Sequence, residues 1–183
     1  MGYNIILFIR LLVCLNTSLS AIVVTPVKSY KLNFYTSYNQ FYIGDKGYKG
    51  NTGSSAFWSK QAFSDRLAAD KDVLGIGIGS YGHVRGEVLL VGKLNPNANL
   101  SKYDHVVEGS FKLASGVLQI TNCPDNVIEL TLKLKPGIYN VRVYSSNLKN
   151  TGLDEGEGDD SYMIEICPGN SISRKVLKRH IFQ

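Results

Sequence analysis

The sequence predicts a mainly β protein, an antiparallel β-sandwich with one packed helix at about residues 56–69. Short segments rich in β-branched and aromatic residues recur along the chain, and turn-forming pairs such as Pro136-Gly137 separate them. Several of these segments alternate between apolar and polar residues. Only one segment has a clear helical period, whereas a parallel sheet would need a helix between its strands. This pattern is typical of a sandwich or a barrel.

The predicted strands cover most of the chain after the first thirty residues. They are 31–43, 73–79, 87–94, 105–113, 115–123, 126–134, 137–145 and 161–169. The alternation is clearest in 128–134, which reads IELTLKL. One face of that strand is therefore expected to lie on the core and the other in water.

The predicted helix lies in the segment SAFWSKQAFSDRLAAD, which follows a glycine-rich loop. Ser55 is the expected N-cap, and Trp58 and Phe63 are the expected core anchors. Leu67 and Ala68 continue the helical spacing.

Residues 75–79 read GIGIG, a spacing that invites comparison with a nucleotide-binding loop. Such a loop must follow a strand and open a helix, so that the helix N-terminus meets the phosphates. Here the glycines alternate with isoleucine inside a predicted strand. We therefore expect them to allow close approach of the tyrosine-rich first strand or of the helix.

The chain has 183 residues and a net charge of +5, but the charge is unevenly placed. Residues 22–173 contain 15 basic and 15 acidic residues, and the excess lies in Arg10 and the last ten residues. A nucleic-acid-binding domain needs its basic residues clustered on the folded face, so direct nucleic-acid binding is not expected. Residues 1–21 resemble a secretory signal peptide, with an apolar run too short to cross a bilayer. The sequence thus predicts a leader (1–21), one domain (22–170) and a basic tail (171–183), helical or frayed.

Export would make the protein secreted or periplasmic; without cleavage of the leader it would be membrane-associated or cytoplasmic. Cys14 would leave with the leader, and Cys123 and Cys167 would stay. These two could form one disulfide or be two buried free thiols. No spacing of Cys and His predicts a metal site.

The densest charge in the sequence is the acidic segment 154–160, which reads DEGEGDD and lies between the last two predicted strands. Its members are Asp154, Glu155, Glu157, Asp159 and Asp160. Three interpretations are open: a calcium site, a surface for the basic site of a protein partner, and a solvated loop.

The histidines give no sign of catalysis. His83, His105 and His180 are far apart in the sequence, and no motif pairs them with a nucleophile. We therefore predict no catalytic residue, no cofactor and no enzyme activity.

Several short motifs, in order, resemble the competence protein J (ComJ) family of DNA-entry nuclease inhibitor-like proteins. The matching residues are Ser37, Tyr38, Gln40, Phe41, Trp58, Ala62, Glu108, Ser115, Gly116, Pro136, Gly137, Tyr139, Arg142, Asp159, Asp160 and Tyr162. The resemblance spans about residues 32–168. It implies a β-sandwich-like fold and inhibition of a nuclease through binding, in competence-related DNA handling.

The leading hypothesis is therefore a non-enzymatic protein-binding domain whose acidic segment faces the basic nucleic-acid-binding site of a nuclease. Arg142 is expected to orient the segment by pairing with an acid, with Trp58 and Tyr162 as further supporting residues. The alternatives are a secreted β-sandwich module that binds calcium or glycan through the same loop, and a structural domain.

Overall fold

The computed structural model describes residues 28–149, 151 and 158–181. Within these residues the chain forms eleven strands, one α-helix and a short 3-10 helix at Leu100–Lys102. The α-helix, α1, is Lys60–Asp65. The strands are β1 Lys28–Thr36, β2 Gln40–Asp45, β3 Leu67–Ala69, β4 Val73–Gly77, β5 Gly82–Leu90, β6 His105–Leu113, β7 Val117–Thr121, β8 Ile128–Lys133, β9 Gly137–Ser146, β10 Ser161–Pro168 and β11 Lys175–Lys178.

The strands form two sheets, so the predicted β-sandwich is confirmed. The six-stranded sheet has the order β1-β5-β10-β9-β6-β11, and the five-stranded sheet has the order β3-β4-β2-β7-β8. Pairing is antiparallel except between β5 and β10. None of the helices in the described ranges is long and apolar enough to cross a membrane.

The main core lies between the two sheets. Because neighbouring side chains in a strand point to opposite faces, Phe41 and Ile43 of β2 enter this core while Tyr42 points to the other side of the sheet. Phe111 of β6 and Ile164 of β10 are among the buried residues contributed by the six-stranded sheet. Because β2 has buried apolar side chains on both faces, the outer face of the five-stranded sheet is apolar as well.

Residues 57–62 cover that outer face and form a second core cluster. Its members are Tyr42, Phe57, Trp58, Ala62, Ala68, Val73 and Cys123, with Tyr48 packed against them. The close approach depends on Gly75, where a Cβ atom would lie 2.6 Å from a ring atom of Trp58. At Gly77 a Cβ atom would lie 3.1 Å from Cα of Arg66. The glycines of β4 thus make room for the helical segment, one of the two neighbours expected from the sequence.

The helix is shorter than predicted and begins later. Its N-cap is Ser59, whose hydroxyl accepts a hydrogen bond from the backbone N–H of Ala62, so Ser55 and Trp58 precede the helix. Arg66 ends it in the left-handed conformation, with φ of 53°. Leu67 and Ala68 then belong to β3, which pairs with β4. The side chain of Phe63 is 60% exposed, so its predicted role as a core anchor is wrong.

Two other predicted segments differ from the structure. The segment 31–43 is not one strand, because Tyr38 and Asn39 both have positive φ and turn the chain from one sheet to the other. The C-terminal tail is neither a helix nor a frayed end, because β11 pairs with β6 at the edge of the six-stranded sheet.

Buried polar contacts fix the C-terminal strand. The Asp65 carboxylate lies 2.8 Å from Arg174 and 2.6 Å from Arg179, which flank β11. Burial by itself would raise the pKa of Asp65, but hydrogen bonds from Arg179 and Gln61 outweigh it and lower that pKa. The basic residues that the sequence assigns to a loose tail therefore help to hold the end of the described chain.

His105 lies beneath the same segment. The backbone N–H of His180 donates to Nδ1 of His105, so the other ring nitrogen, Nε2, donates to the carbonyl of Asp65. Burial, together with the charges of Arg66 and Arg179, lowers the pKa of His105 to about 4. The imidazole is therefore neutral at pH 7 and has a structural role, as expected from the sequence.

Candidate protein-binding surface

The acidic segment follows β9 and leads into β10, as the sequence indicates. Asp154, Glu155 and Glu157 lie outside the described residues. Asp159 is exposed at the surface, whereas Asp160 is completely buried. The two described acids of the segment therefore have different roles.

Asp160 joins the segment to the loop between β4 and β5. Its carboxylate accepts hydrogen bonds from the backbone N–H groups of Gly79 and Ser80, at 3.2 and 3.1 Å, and from the hydroxyls of Ser80 and Tyr162. A buried carboxylate that accepts hydrogen bonds from several donors is costly to remove from them. Asp160 is thus an internal anchor, and its predicted role as a partner contact does not fit this burial.

Tyr162 completes the anchor. Its hydroxyl donates to Asp160 and accepts a hydrogen bond of 2.7 Å from the N–H of Gly79. Burial, reinforced by the charge of Asp160, raises the pKa of Tyr162 well above its ordinary value. The phenol is therefore protonated, and Tyr162 supports the segment from inside the sandwich.

Both ends of the chain around the acidic segment are fixed by further hydrogen bonds. Before the segment, the N–H of Leu148 donates to the Asp104 carboxylate at 2.9 Å. After it, Arg85 donates to the carbonyl of Gly158 at 2.6 Å, and Asn147 donates to the carbonyl of Asp159 at 3.1 Å. The described residues on both sides of 152–157 are therefore hydrogen-bonded to the sandwich.

Arg142 does pair with an acid, but the described acids beside it are not those of the segment. Its guanidinium lies 2.5 Å from Glu108 on β6 and 3.7 Å from Glu165 on β10. It also donates to the carbonyl of Asn95 at 2.6 Å. Hydrogen bonds with Tyr144 and Glu108 outweigh burial and raise the pKa of Arg142. Arg142 therefore stabilises the outer face of the six-stranded sheet.

Trp58, the other expected support, lies in the second core cluster, on the outer face of the five-stranded sheet. Its ring stacks on exposed Phe63, with 5.1 Å between ring centroids. Trp58 and Phe63 line a hollow of about 250 Å³ that also includes Tyr38 and Arg66. Trp58 thus supports exposed aromatic residues on the outer face of the five-stranded sheet.

Three exposed tyrosines lie at the same end of the sandwich as the acidic segment. These residues, which we call the aromatic patch, are Tyr35, Tyr38 and Tyr81, with exposed fractions of 64%, 63% and 48%. Tyr81 follows Ser80 directly, and a hydrogen bond of 3.2 Å from Asn39 to the carbonyl of Gly79 joins the turn that carries Tyr38 to the same loop.

The ring of Tyr35 stacks on His83, its cross-strand partner, with 4.8 Å between centroids and an interplanar angle of 6°. Tyr35 and Tyr81 line an open hollow of about 460 Å³ with Asp125. Exposed aromatic rings held in place by neighbours are typical anchors of protein interfaces.

The aromatic patch could not be separated from core aromatics by sequence alone, because Tyr35 lies in a strand like many buried rings. One local signal was available for Tyr38, since the pair Tyr38-Asn39 has an Asn suited to a left-handed turn. Tyr81 lies between Ser80 and Gly82, a composition that also indicates a turn.

Cys123 and Cys167 are both buried and free, so the structure has two separate thiols and no bridge between them. Cys123 follows β7 and belongs to the second core cluster, whereas Cys167 lies in β10. Burial raises the pKa of Cys167 and makes its thiol less reactive.

The described residues bring together no group of three or more His, Cys, Asp or Glu side chains suited to a metal ion. His83 is half-buried in β5 and lies 2.7 Å from Asn33. His83 thus has different surroundings from His105, whose ring is hydrogen-bonded to the backbone of His180.

Comparison with known proteins supports the fold. No family model matches this chain, and no curated protein matches it. Among solved structures it is similar to ComJ from Bacillus subtilis, an inhibitor of the DNA-degrading activity of NucA. That match has a TM-score of 0.58 at 17% identity and covers 79% of this chain and 100% of ComJ. The crocagin biosynthetic gene J protein matches with a TM-score of 0.49 at 16% identity, over 80% of this chain and 100% of that chain.

The two sheets and their packing thus define a β-sandwich protein, with Asp159 and three tyrosines exposed at one end. More specifically, its fold is like that of ComJ. At 17% identity the likeness extends to the fold alone.

Proposed function

We propose that this protein is a non-enzymatic inhibitor that binds a nuclease and covers its nucleic-acid-binding site. The observation that carries the proposal is a sandwich end with exposed Asp159 and the aromatic patch, in a fold like that of ComJ, which inhibits the DNA-degrading activity of NucA. A nuclease binds the phosphates of nucleic acids with Lys and Arg side chains. Several carboxylates carry negative charge, as those phosphates do, and could therefore bind the same Lys and Arg residues.

The arrangement of charges and rings suits such an interface. The carboxylates of the acidic segment would attract the basic cleft of a nuclease and accelerate association. The aromatic patch beside them would supply the apolar contacts that carry most of the binding energy in protein interfaces. The hydrogen bonds of Asp160 and Tyr162 would hold the backbone next to Asp159 in place, which lowers the entropy lost when Asp159 binds.

The residues divide into contacts and supports. Asp154, Glu155, Glu157 and Asp159 are the proposed contacts with the partner, together with the aromatic patch. Asp160 and Tyr162 are supports, because their polar atoms are already bonded inside the protein. A test that neutralises Asp159 and Asp160 together would therefore mix loss of contact with loss of stability.

The proposal is tested by the effect of the purified protein on DNA degradation by NucA and by a panel of other DNases. We expect inhibition of at least one enzyme, relieved by more DNA and weakened by salt, because both compete with a charge-based contact. The variant Asp154→Asn/Glu155→Gln/Glu157→Gln/Asp159→Asn should lower the association rate by about tenfold or more.

The matched control is Asp70→Asn. Asp70 is an exposed acid in the turn before β4, at the end of that strand away from Gly79. This variant should inhibit as the unmodified protein does. If the fourfold variant inhibits equally well, the acidic segment is not the contact; if no DNase in the panel is inhibited, the proposed function fails.

Export is part of the same proposal. Residues 1–21, which resemble a secretory signal peptide, lie outside the described residues. If they are removed during export, the nuclease is one that the protein meets outside the cytoplasm. Mass spectrometry of the protein recovered from the medium or periplasm would show whether the mature chain starts near residue 22.

A further inference from the structure

Strand β8 is the outermost strand of the five-stranded sheet, and β7 is its strand partner within the described chain. An outer strand presents one row of backbone N–H and C=O groups to its surroundings and can pair with another strand. Its sequence, Ile128–Lys133, carries an exposed isoleucine at its start, with 54% of Ile128 accessible.

The backbone groups on the outer side of β8 can be assigned from the pairing with β7. The N–H of Leu134 donates to the carbonyl of Gly116 at 2.9 Å, and Leu132 lies opposite Leu118. Because alternate residues of an antiparallel strand point their backbone groups to alternate sides, Leu130 and Leu132 also bond toward β7. Thr131 and Lys133 therefore direct their N–H and C=O groups to the outer edge, and Glu129 lies at a register shift, where Leu130 pairs with Ile120 and Ile128 pairs with Thr121.

The side chains of the same three residues are all exposed, whereas Leu132 is buried in the core and Leu130 is partly buried against it. The segment 129–133 thus reads Glu-Leu-Thr-Leu-Lys, with a negative charge at one end, a positive charge at the other and Thr131 at its centre. When a second copy of the segment runs in the opposite direction, its positive end lies beside the negative end of the first copy. A strand of this kind is complementary to itself in the antiparallel direction.

We propose that β8 pairs antiparallel with β8 of a second copy of this chain, about a two-fold axis through Thr131. In this register Thr131 lies opposite Thr131, and Glu129 lies opposite Lys133 of the second copy. Thr131 then exchanges both of its outer backbone hydrogen bonds with Thr131 of the second copy. The contact is isologous, because the same surface is used on both copies.

The charges favour this arrangement over other edge contacts. Cross-strand pairs of opposite charge and Thr-Thr pairs stabilise a sheet, and like charges placed opposite each other destabilise it. Parallel pairing in register would place Glu129 on Glu129 and Lys133 on Lys133. In the antiparallel register the exposed Ile128 comes to lie opposite Leu134 of the second copy.

A contact made mainly by one short strand buries less surface than a standard stable interface, so the dimer is expected to depend on concentration. Sedimentation velocity of the full chain over a range of concentrations should show a reversible monomer–dimer equilibrium. Lys133→Glu and Glu129→Lys should each weaken it by roughly tenfold, because two cross-strand pairs change from attraction to repulsion. The double variant Glu129→Lys/Lys133→Glu should restore dimerisation.

A mixing experiment separates this register from a general effect of charge. The Lys133→Glu chain has acids at both ends of the segment and the Glu129→Lys chain has bases at both ends. Each should be mainly monomeric alone, and the two should form a heterodimer when mixed. If the mixture stays monomeric, or if the double variant does not dimerise, the proposed pairing is wrong.

Thr131 provides a second, backbone test. Thr131→Pro removes an N–H on the outer edge and leaves the bonds to β7 in place, so it should abolish dimerisation. Thr131→Val keeps that N–H and should dimerise, and circular dichroism should show that both variants are folded. An unmodified protein that is monomeric at every concentration, or a dimer unaffected by Lys133→Glu, would overturn the proposal.

Discussion

The Tyr162 hydroxyl donates a hydrogen bond to the Asp160 carboxylate, two residues earlier in the chain. Both side chains point to the same side of the chain as it enters β10, where the backbone of Gly79 and Ser80 meets them. A segment dense in negative charge therefore ends in the protein interior, where its last carboxylate is used for hydrogen bonding.

This relationship predicts that two neighbouring acids contribute very differently to the stability of the protein. Asp160→Asn should lower the free energy of unfolding by about 1–3 kcal/mol, because its amide would turn an N–H toward the donors that surround it. Asp159→Asn should change stability by no more than about 0.5 kcal/mol, because Asp159 is exposed. Urea denaturation of the two variants measures both values. Equal losses of stability would contradict the division between anchor and surface.

A second prediction concerns acid stability. The pKa of His105 is about 4 in the folded protein and about 6.5 in the unfolded chain, so the unfolded chain binds more protons between these values. Stability should therefore fall as the pH drops from 6.5 to 4, with His105 accounting for about 3 kcal/mol.

His105→Gln should remove most of this slope, and urea denaturation at several pH values would measure it. Asp65 does not account for the loss of stability between pH 6.5 and 4. Because the pKa of Asp65 is lowered, its contribution to stability is lost only at lower pH. Identical slopes in the variant and the unmodified protein would show that His105 does not couple protons to folding.

The start of the helix gives a third prediction. Ser59→Ala should destabilise the protein by about 0.5–2 kcal/mol, because it removes the acceptor for the N–H of Ala62. Ser55→Ala should have little effect, because Ser55 is exposed and precedes the helix. Thermal or urea unfolding of this matched pair distinguishes the two caps. A larger loss from Ser55→Ala would favour the cap indicated by the sequence.

A fourth prediction separates the nuclease inhibitor from the calcium-binding alternative. We expect the same melting temperature with calcium and with a chelator, because the Asp160 carboxylate is already held by protein donors. A ligand at 100 times its dissociation constant would add about 2.7 kcal/mol. For a domain of this size that corresponds to a rise of roughly 5–10 °C, which would favour calcium.

Much of the fold could be predicted from local sequence. The predicted strand 105–113 has the same bounds as β6, because its apolar residues are regularly spaced and turn residues flank the neighbouring strands. The single strand predicted over 31–43 was wrong because the turn at Tyr38 contains no glycine or proline. The prediction of a helical or frayed tail was wrong because β11 forms by pairing with β6. The basic residues of the tail do not indicate that contact.

The candidate site was harder to predict for a related reason. The cluster of carboxylates was visible in the sequence, but the burial of Asp160 depends on Ser80, which is distant in the sequence. Likewise Arg142 could be expected to meet an acid, but Glu108 and Glu165 are brought to it by strand pairing. Several residues that match the ComJ family, such as Arg142 and Asp160, thus form their polar contacts within this protein.

The position of β10 between β5 and β9 has a consequence for how the protein is made. On the ribosome, β1 and β5 can pair early, and β6 and β9 can pair after them, but these two pairs have no strand in common. The six-stranded sheet stays in two pieces until β10 has been synthesised. A nascent or truncated chain that ends before residue 161 therefore exposes the inner edges of both pieces, which makes it prone to aggregation.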